Sequence, residues 1–241
     1  MKKPKMILFD YGQTLVNEEK FDGVKGTAAV MAHAVENRYG LTPEQVQAEA
    51  DAINKELGRS DPVLRAQNIV EIPNHMFTAY LYESLGIRIG LTAPELDRIF
   101  WDAAAPGKPT EGMPEFLVFL RRQGIRTAVL SNISYAPSVV EERIGRIFPD
   151  NDFEFIIPTS RYLFRKPSAR IFRLALEKAQ LEAGDVWYIG DTYSRDVVGA
   201  GNAGIFPVWY RGCEYFEQPD RDDVMQITNW TQLMTFIRSL D

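Results

Sequence analysis

Met6-Ile7-Leu8-Phe9 runs directly into Asp10-Tyr11-Gly12-Gln13-Thr14 near the start of the chain. A short apolar run that stops at an Asp and a Gly predicts a buried strand entering a turn. The same pattern returns much later. Arg126-Thr127-Ala128-Val129-Leu130 leads into Ser131-Asn132, and Val186-Trp187-Tyr188-Ile189 leads into Gly190-Asp191. Phe206 to Tyr210 reads as a fourth strand and Phe153 to Ile157 as a fifth.

Helical patterns separate these strands. Pro114 to Gln123 is apolar on one face and stops at Gly124, Ala169 to Gln180 has helical spacing, and Asp196 to Ala203 is short and rich in small residues. Strand, helix and strand alternate, which predicts an α/β fold: a parallel sheet with helices on both faces. Such sheets gather their polar strand ends, and their ligands, at the carboxyl edge.

Residues from about 16 to 108 show no strand pattern and several helix signals. Thr42-Pro43-Glu44-Gln45 and Thr92-Ala93-Pro94-Glu95 each set a Thr cap three residues before Gln or Glu, with Pro in the first turn. Gly40, Gly58, Gly86 and Pro106-Gly107 divide the segment into about four helices. The expected organisation is therefore a core of residues 1–16 and 109–241 with a helical domain, residues 17–108, inserted after the first strand. Pro106 to Pro109 and Val16 to Glu19 are the expected hinges.

Composition excludes several functional classes. The chain has 241 residues, a net charge of −6 and no basic block beyond Lys2-Lys3, so no nucleic-acid footprint is present. No apolar stretch nears the roughly 20 residues of a membrane helix. Cys213 is the only cysteine and the start lacks a secretory pattern, so a cytoplasmic location and no disulfide are expected. Cys213, His33 and His75 carry no pattern of a nucleophile or metal site. Phe77, Tyr80, Tyr82, Phe100 and Trp101 fit the core of a helical bundle as well as a pocket lining.

Four polar clusters lie at or beyond the predicted strand ends: Asp10 to Thr14, Ser131-Asn132, Arg165-Lys166-Pro167, and Gly190-Asp191 with Asp196. Each is weak alone; together they suit phosphoryl transfer. Asp10 and Asp191, with the Gly12 carbonyl, offer hard oxygen ligands for Mg²⁺. The Ser131 hydroxyl and the Lys166 ammonium can hold phosphoryl oxygens while Asp10 attacks phosphorus to give an aspartyl-phosphate. A small phosphorylated molecule is the expected substrate.

The four clusters resemble, in order and spacing, the four motifs of the haloacid dehalogenase superfamily. Phe9-Asp10 through Thr14-Leu15 is similar to the first motif and Val129 to Asn132 to the second. Arg165 to Ser168 with Ile171-Phe172 is similar to the third, and Ile189-Gly190-Asp191 through Asp196 to Ala200 to the fourth. The resemblance implies a doubly wound parallel sheet with a helical cap inserted between the first two motifs. It implies Asp10 as nucleophile; Ser131, Lys166, Asn132 and Thr14 on the phosphoryl side, Thr14 as a support; and Asp10, Gly12, Asp191 and Asp196 around Mg²⁺.

One position departs from the family pattern. Family phosphatases carry a second Asp two residues after the nucleophile, which protonates the leaving oxygen and later activates water; this chain has Gly12 there. Such acid/base help is typically worth about 10²- to 10⁴-fold. Glu18 and Glu19 read first as solvated loop carboxylates, with a replacement acid as the alternative, and Gln13 can only orient water. Lys20, Lys25 and Lys55 are the candidates if the chain cleaves phosphonates through a Schiff base. A dehalogenase would tolerate Gly12 but leave the metal motif idle, and a binding module without turnover would have no need of the remaining groups.

Overall fold

The computed structural model describes residues 2–59, 61–213 and 221–240. The chain starts with β1 (Met6–Phe9) and leaves the core through β2 (Val16–Glu18). The inserted segment follows as α1 (Gly23–Met31), β3 (Ala34–Asn37), α2 (Pro43–Glu56), α3 (Pro62–Gln67), α4 (Asn74–Ser84), β4 (Ile87–Ile89) and α5 (Ala93–Ala104). It returns through β5 (Gly107–Pro109). The core then continues as α6 (Met113–Arg122), β6 (Arg126–Ser131), α7 (Pro137–Ile147), β7 (Ile156–Pro158), α8 (Ala169–Ala179) and β8 (Val186–Gly190). A π-helical turn at Tyr193–Val197, α9 (Val198–Asn202), β9 (Phe206–Tyr210), β10 (Met225–Ile227) and α10 (Trp230–Arg238) complete it.

Six strands form one parallel sheet in the order β10-β9-β8-β1-β6-β7. The first strand is central, between β6 and β8, and all four of its residues are fully buried. Its two faces belong to different cores. Ile7 and Phe9 face a core with α6, α7 and α10, whereas Met6 and Leu8 face one with α8 and α9. Burial on both faces is why this strand reads as an unbroken apolar run rather than an alternating one.

The inserted segment has its own small core of Val30, Val46, Ala50, Leu81, Tyr82, Ile87 and Leu96. Both expected helix starts carry their signal. The Thr42 amide donates to Gln45 at 2.9 Å and the Thr92 amide donates to Glu95 at 2.8 Å, with Pro in the first turn of each helix. The segment is not purely helical, however. β3 pairs with β4 inside it, and β2 pairs antiparallel with β5, setting Val16 opposite Pro109 and Glu18 opposite Gly107. The expected boundaries at 16/17 and 108/109 fall within this two-stranded ribbon.

Other expectations are corrected. The fifth strand starts at Ile156, not Phe153. Glu154 and Phe155 already bond to β6, through Glu154 N to Thr127 O and Val129 N to Phe155 O, but regular pairing begins only beyond them. The small-residue helix starts earlier, with the π turn at Tyr193. Among its described residues the insertion has five helices rather than about four.

Aromatic stacking closes one face of the sheet. Phe116 is fully buried, stacked 5.1 Å from Trp230 and edge-on to Phe9 at 6.1 Å. Phe116→Ala removes a ring that no neighbour can replace, so chemical denaturation should show a loss of about 3–5 kcal/mol. A loss below about 1 kcal/mol would mean that this face is not close-packed.

Candidate active site

Three of the four polar clusters follow the ends of buried strands, and Lys166 comes from the loop between β7 and α8. The Asp10 amide donates to Ile189 O at 2.8 Å, which fixes the residue at the carboxyl edge between β1 and β8. Ser131 ends β6, and Asp191 follows the last residue of β8. Asp10, Ser131, Lys166 and Asp191 thereby line one cavity of about 510 Å³ beneath the inserted segment. The carboxyl edge of the sheet is where the strand order leads such sites to form.

Lys166 is the centre of the cluster. Its side chain is 2% exposed, and its Nζ donates to Asp10 Oδ1 at 2.7 Å, to Asp196 Oδ1 at 2.5 Å and to the Tyr188 hydroxyl at 2.6 Å. The Tyr188 hydroxyl in turn donates to Leu130 O at 2.8 Å. The ammonium thus has three acceptors for its three hydrogens. Burial alone would raise the Asp10 carboxyl; the Lys166 charge and hydrogen bond, with a Ser131 hydrogen bond and Arg195, outweigh it and hold Asp10 below its usual range. Asp10 is therefore a carboxylate, the form that can act as a nucleophile.

The acidic residues form a compact set. Asp10, Asp191 and Asp196 each offer a carboxylate oxygen, and these oxygens lie within 4.8 Å of one another. Burial first, then the charges of Asp196 and Asp10, push the Asp191 carboxyl well above its usual range. Three hard oxygen donors whose charges repel in a buried site fit a divalent cation, which would reverse that repulsion. Asp196 is the most constrained of the three, since its Oδ2 also accepts from the Thr192 amide at 2.8 Å.

Small residues make this approach possible. A Cβ on Gly190 would stand 2.3 Å from the Asp196 carboxyl carbon, and one on Gly199 would meet Phe172 at 2.7 Å and Pro167 at 3.0 Å. Gly190 leaves room for Asp196, and Gly199 lets α9 settle against the loop that carries Lys166. The glycines of the fourth cluster are thus packing requirements of the lysine and aspartate positions.

Two expected substrate residues have protein partners of their own. The Asn132 side chain is spent on Lys166 itself, donating to its carbonyl at 2.9 Å and accepting from its amide at 2.8 Å. It holds the lysine's backbone while also lining the cavity. Thr14 is fully buried and outside the cavity lining; its carbonyl accepts from Thr110 Oγ1 at 2.7 Å. Gly12 lines the cavity, and Gln13, at a φ of 56°, turns its side chain back to donate to Glu18 O at 3.0 Å.

Glu18 differs most from its expected state. It is not a solvated loop carboxylate: its side chain is 19% exposed and lines the Asp10 cavity. Trp101 Nε1 donates to its Oε1 at 2.8 Å, and Arg143 stands 3.5 Å from the same oxygen. Burial pushes its carboxyl up to about 7, with the Asp10 charge adding to the rise and Trp101 and Arg143 opposing it. Glu19 is exposed, as expected.

Residues with no sequence signal complete the surroundings. Arg143 is 3% exposed, with its Nε donating to the Tyr11 hydroxyl at 2.8 Å, its Nη1 to Asp102 at 2.5 Å, and its plane 4.4 Å from the Trp101 ring. Arg195 lines the cavity and donates to Thr192 Oγ1 at 2.8 Å. Tyr188 had been only an apolar strand residue. Of the three candidate lysines only Lys20 lines the cavity, since Lys25 and Lys55 point to solvent. His33 and His75 are exposed, and burial with the nearby Asp191 charge pushes the Cys213 thiol up to about 11. Among the described residues no helix is long and apolar enough to cross a membrane.

Known proteins share this arrangement of chain and fold. Residues 4–204 match the haloacid dehalogenase-like hydrolase family. Haloacid dehalogenase-like hydrolase domain-containing protein 3 of Bos taurus is 29% identical over 151 residues, 62% of this chain and 59% of that protein. Glyceraldehyde 3-phosphate phosphatase of Pyrococcus abyssi is 27% identical over 86% of this chain and 81% of its own. The 2-haloacid dehalogenase structure from Pseudomonas syringae superposes with a TM-score of 0.64 at 20% identity, covering 99% of both chains. That likeness is one of fold. With the family match running from residue 4 to residue 204 of 241, the chain belongs to the haloacid dehalogenase-like hydrolases.

Proposed function

We propose that the protein is a magnesium-dependent phosphatase acting on a small phosphorylated metabolite, with Asp10 as the nucleophile. The observation that carries this reading is the pairing of the Asp10 carboxyl with Lys166 at 2.7 Å beside Asp191 and Asp196. The phosphatase name of a relative covering most of the chain supports the same class. A dehalogenase would not need the acidic set, which favours phosphorus over carbon as the electrophile.

In this reading Asp10 attacks phosphorus in line, and the phosphoryl group passes to its carboxylate as an aspartyl-phosphate. Lys166 and the Ser131 hydroxyl hold the phosphoryl oxygens in flight, and the lysine, already fixed by Asp196 and Tyr188, needs little rearrangement. Asp10, Asp191 and Asp196, with the Gly12 carbonyl, would hold Mg²⁺, which would supply positive charge against the phosphoryl oxygens. The inserted segment excludes water from the cavity. The adjoining cavity of about 590 Å³, which shares Phe21, Asn132, Ser134 and Tyr135 with the first, is the place for the rest of the substrate.

A panel of aryl, acyl, sugar-1 and alkyl phosphates tests the proposal. Hydrolysis should require Mg²⁺ and fall to background in Asp10→Asn; turnover without metal, or retained in Asp10→Asn, would refute it. Metal binding has its own readout. Titrating Mg²⁺ to 100 times its dissociation constant should stabilise the parent by about 2.7 kcal/mol in thermal unfolding. Asp191→Asn should lose most of that gain, and an unchanged gain would remove Asp191 from the site.

A further inference from the structure

We propose that Glu18 is the proton-transfer residue of this active site, standing in the space that the absent side chain of Gly12 leaves open. The inference rests on the phosphatase reading above. Its geometric basis is direct. A Cβ built on Gly12 would lie 3.4 Å from Glu18 Oε2, so the Glu18 carboxyl reaches the very flank of the nucleophile loop from which a residue at position 12 would project.

The carboxyl is held there from several sides. Its backbone is fixed by the pairing of Glu18 with Gly107 across the ribbon and by the Gln13 side chain. Oε1 is anchored by Trp101 Nε1 at 2.8 Å and neighboured by Arg143 at 3.5 Å, which leaves Oε2 as the oxygen next to Gly12. Gly107 is part of the same fit, because a Cβ there would meet Val16 at 2.6 Å and the Glu18 Cγ at 3.4 Å. Two glycines thus flank one glutamate.

Direction and elimination agree. In-line attack by Asp10 sends the leaving oxygen away from the sheet, toward the inserted segment, and Glu18 lies on the strand that leads there while its anchor Trp101 belongs to α5. Of the other proton-bearing groups of the cavity, Lys20 is exposed and Arg195 donates to Thr192 Oγ1. Lys166 is triply bonded and Asp191 lies within the acidic set. Burial pushes the hydroxyls of Tyr11 and Tyr135 far up, and Glu19 is exposed. Glu18 alone combines a carboxyl largely shielded from solvent with an oxygen beside Gly12.

The step balances. As Asp10 forms its bond to phosphorus, the ester P–O bond breaks, its electron pair goes to the leaving oxygen, and Glu18 Oε2 delivers a proton to give the alcohol. The resulting Glu18 carboxylate then takes a proton from water as that water attacks phosphorus. The P–O bond to Asp10 breaks, inorganic phosphate leaves, and Glu18 is again protonated.

Glu18→Gln, measured with Mg²⁺ on 4-nitrophenyl phosphate and on a simple alkyl phosphate, separates this role from a structural one. With the aryl ester, which needs no acid, the variant should keep a burst of nitrophenolate equal to the enzyme concentration while steady turnover falls about 10²- to 10⁴-fold. With the alkyl ester both burst and turnover should be lost. Turnover within threefold of the parent on both esters would overturn the proposal. In the parent, phosphoenzyme formation across a series of esters should depend only weakly on leaving-group basicity; a steep dependence would overturn it without any variant. If the parent itself formed no phosphoenzyme on any ester, it is the phosphatase reading that would fall.

Discussion

A single buried ammonium holds the catalytic edge together. Lys166 joins Asp10, from the first strand, to Asp196, from the π turn after β8, within a layer where neither carboxylate could stay ionised alone. Removing one partner of a buried ion pair typically costs about 3–5 kcal/mol, because the charge left behind has no water to turn to. The cluster is therefore a constraint on the surrounding packing. Gly190 must lack a side chain so that Asp196 can approach, and Gly199 must lack one so that the Lys166 loop can sit against α9. Asn132 serves the same end by clamping the lysine's backbone.

The same constraint fixes the chemistry. The lysine keeps Asp10 anionic without neutralising the whole acidic set, and Asp191 remains under repulsion from its neighbours. Under the proposed function, a site so arranged accepts a dication and then a phosphoryl group. The inserted segment contributes through the ribbon of β2 and β5, which carries Glu18. Trp101 on α5 and Arg143 on α7 meet at that residue, so the covering segment and the core share one polar contact at the cavity wall. Arg143 is itself tied to Asp102 of the insertion and to Tyr11 beside the nucleophile. The placement of the Glu18 carboxyl is thus tied to the contact between the inserted segment and the core.

The strands that could be read from sequence were those buried on both faces. β1, β6, β8 and β9 are contiguous apolar runs, and each was legible within a residue. β10 was not, because a three-residue edge strand, Met225-Gln226-Ile227, has too little length for any pattern. The β2–β5 ribbon was invisible for another reason: Glu18 and Gly107 are paired by tertiary structure, and nothing local to either announces it. Asp10, Lys166, Asp191 and Asp196 were legible because strand ends gather polar residues at one edge. Tyr188, Arg143 and the burial of Glu18 were not, since each takes its role from residues distant in the chain. Thr14 is expected on the phosphoryl side by resemblance but lies in the interior, whereas Asn132 both lines the cavity and clamps the lysine's backbone.

The most direct test of the central claim is chemical trapping at Asp10. The Mg²⁺-loaded protein is mixed with acetyl phosphate, quenched in acid within the first turnover, reduced with borohydride and mapped by mass spectrometry. The account predicts conversion of Asp10, and of no other residue, to homoserine, the mark of an acyl phosphate at that carboxyl. Asp10 left unmodified while phosphate is released, or the mark on a different carboxylate, would contradict it.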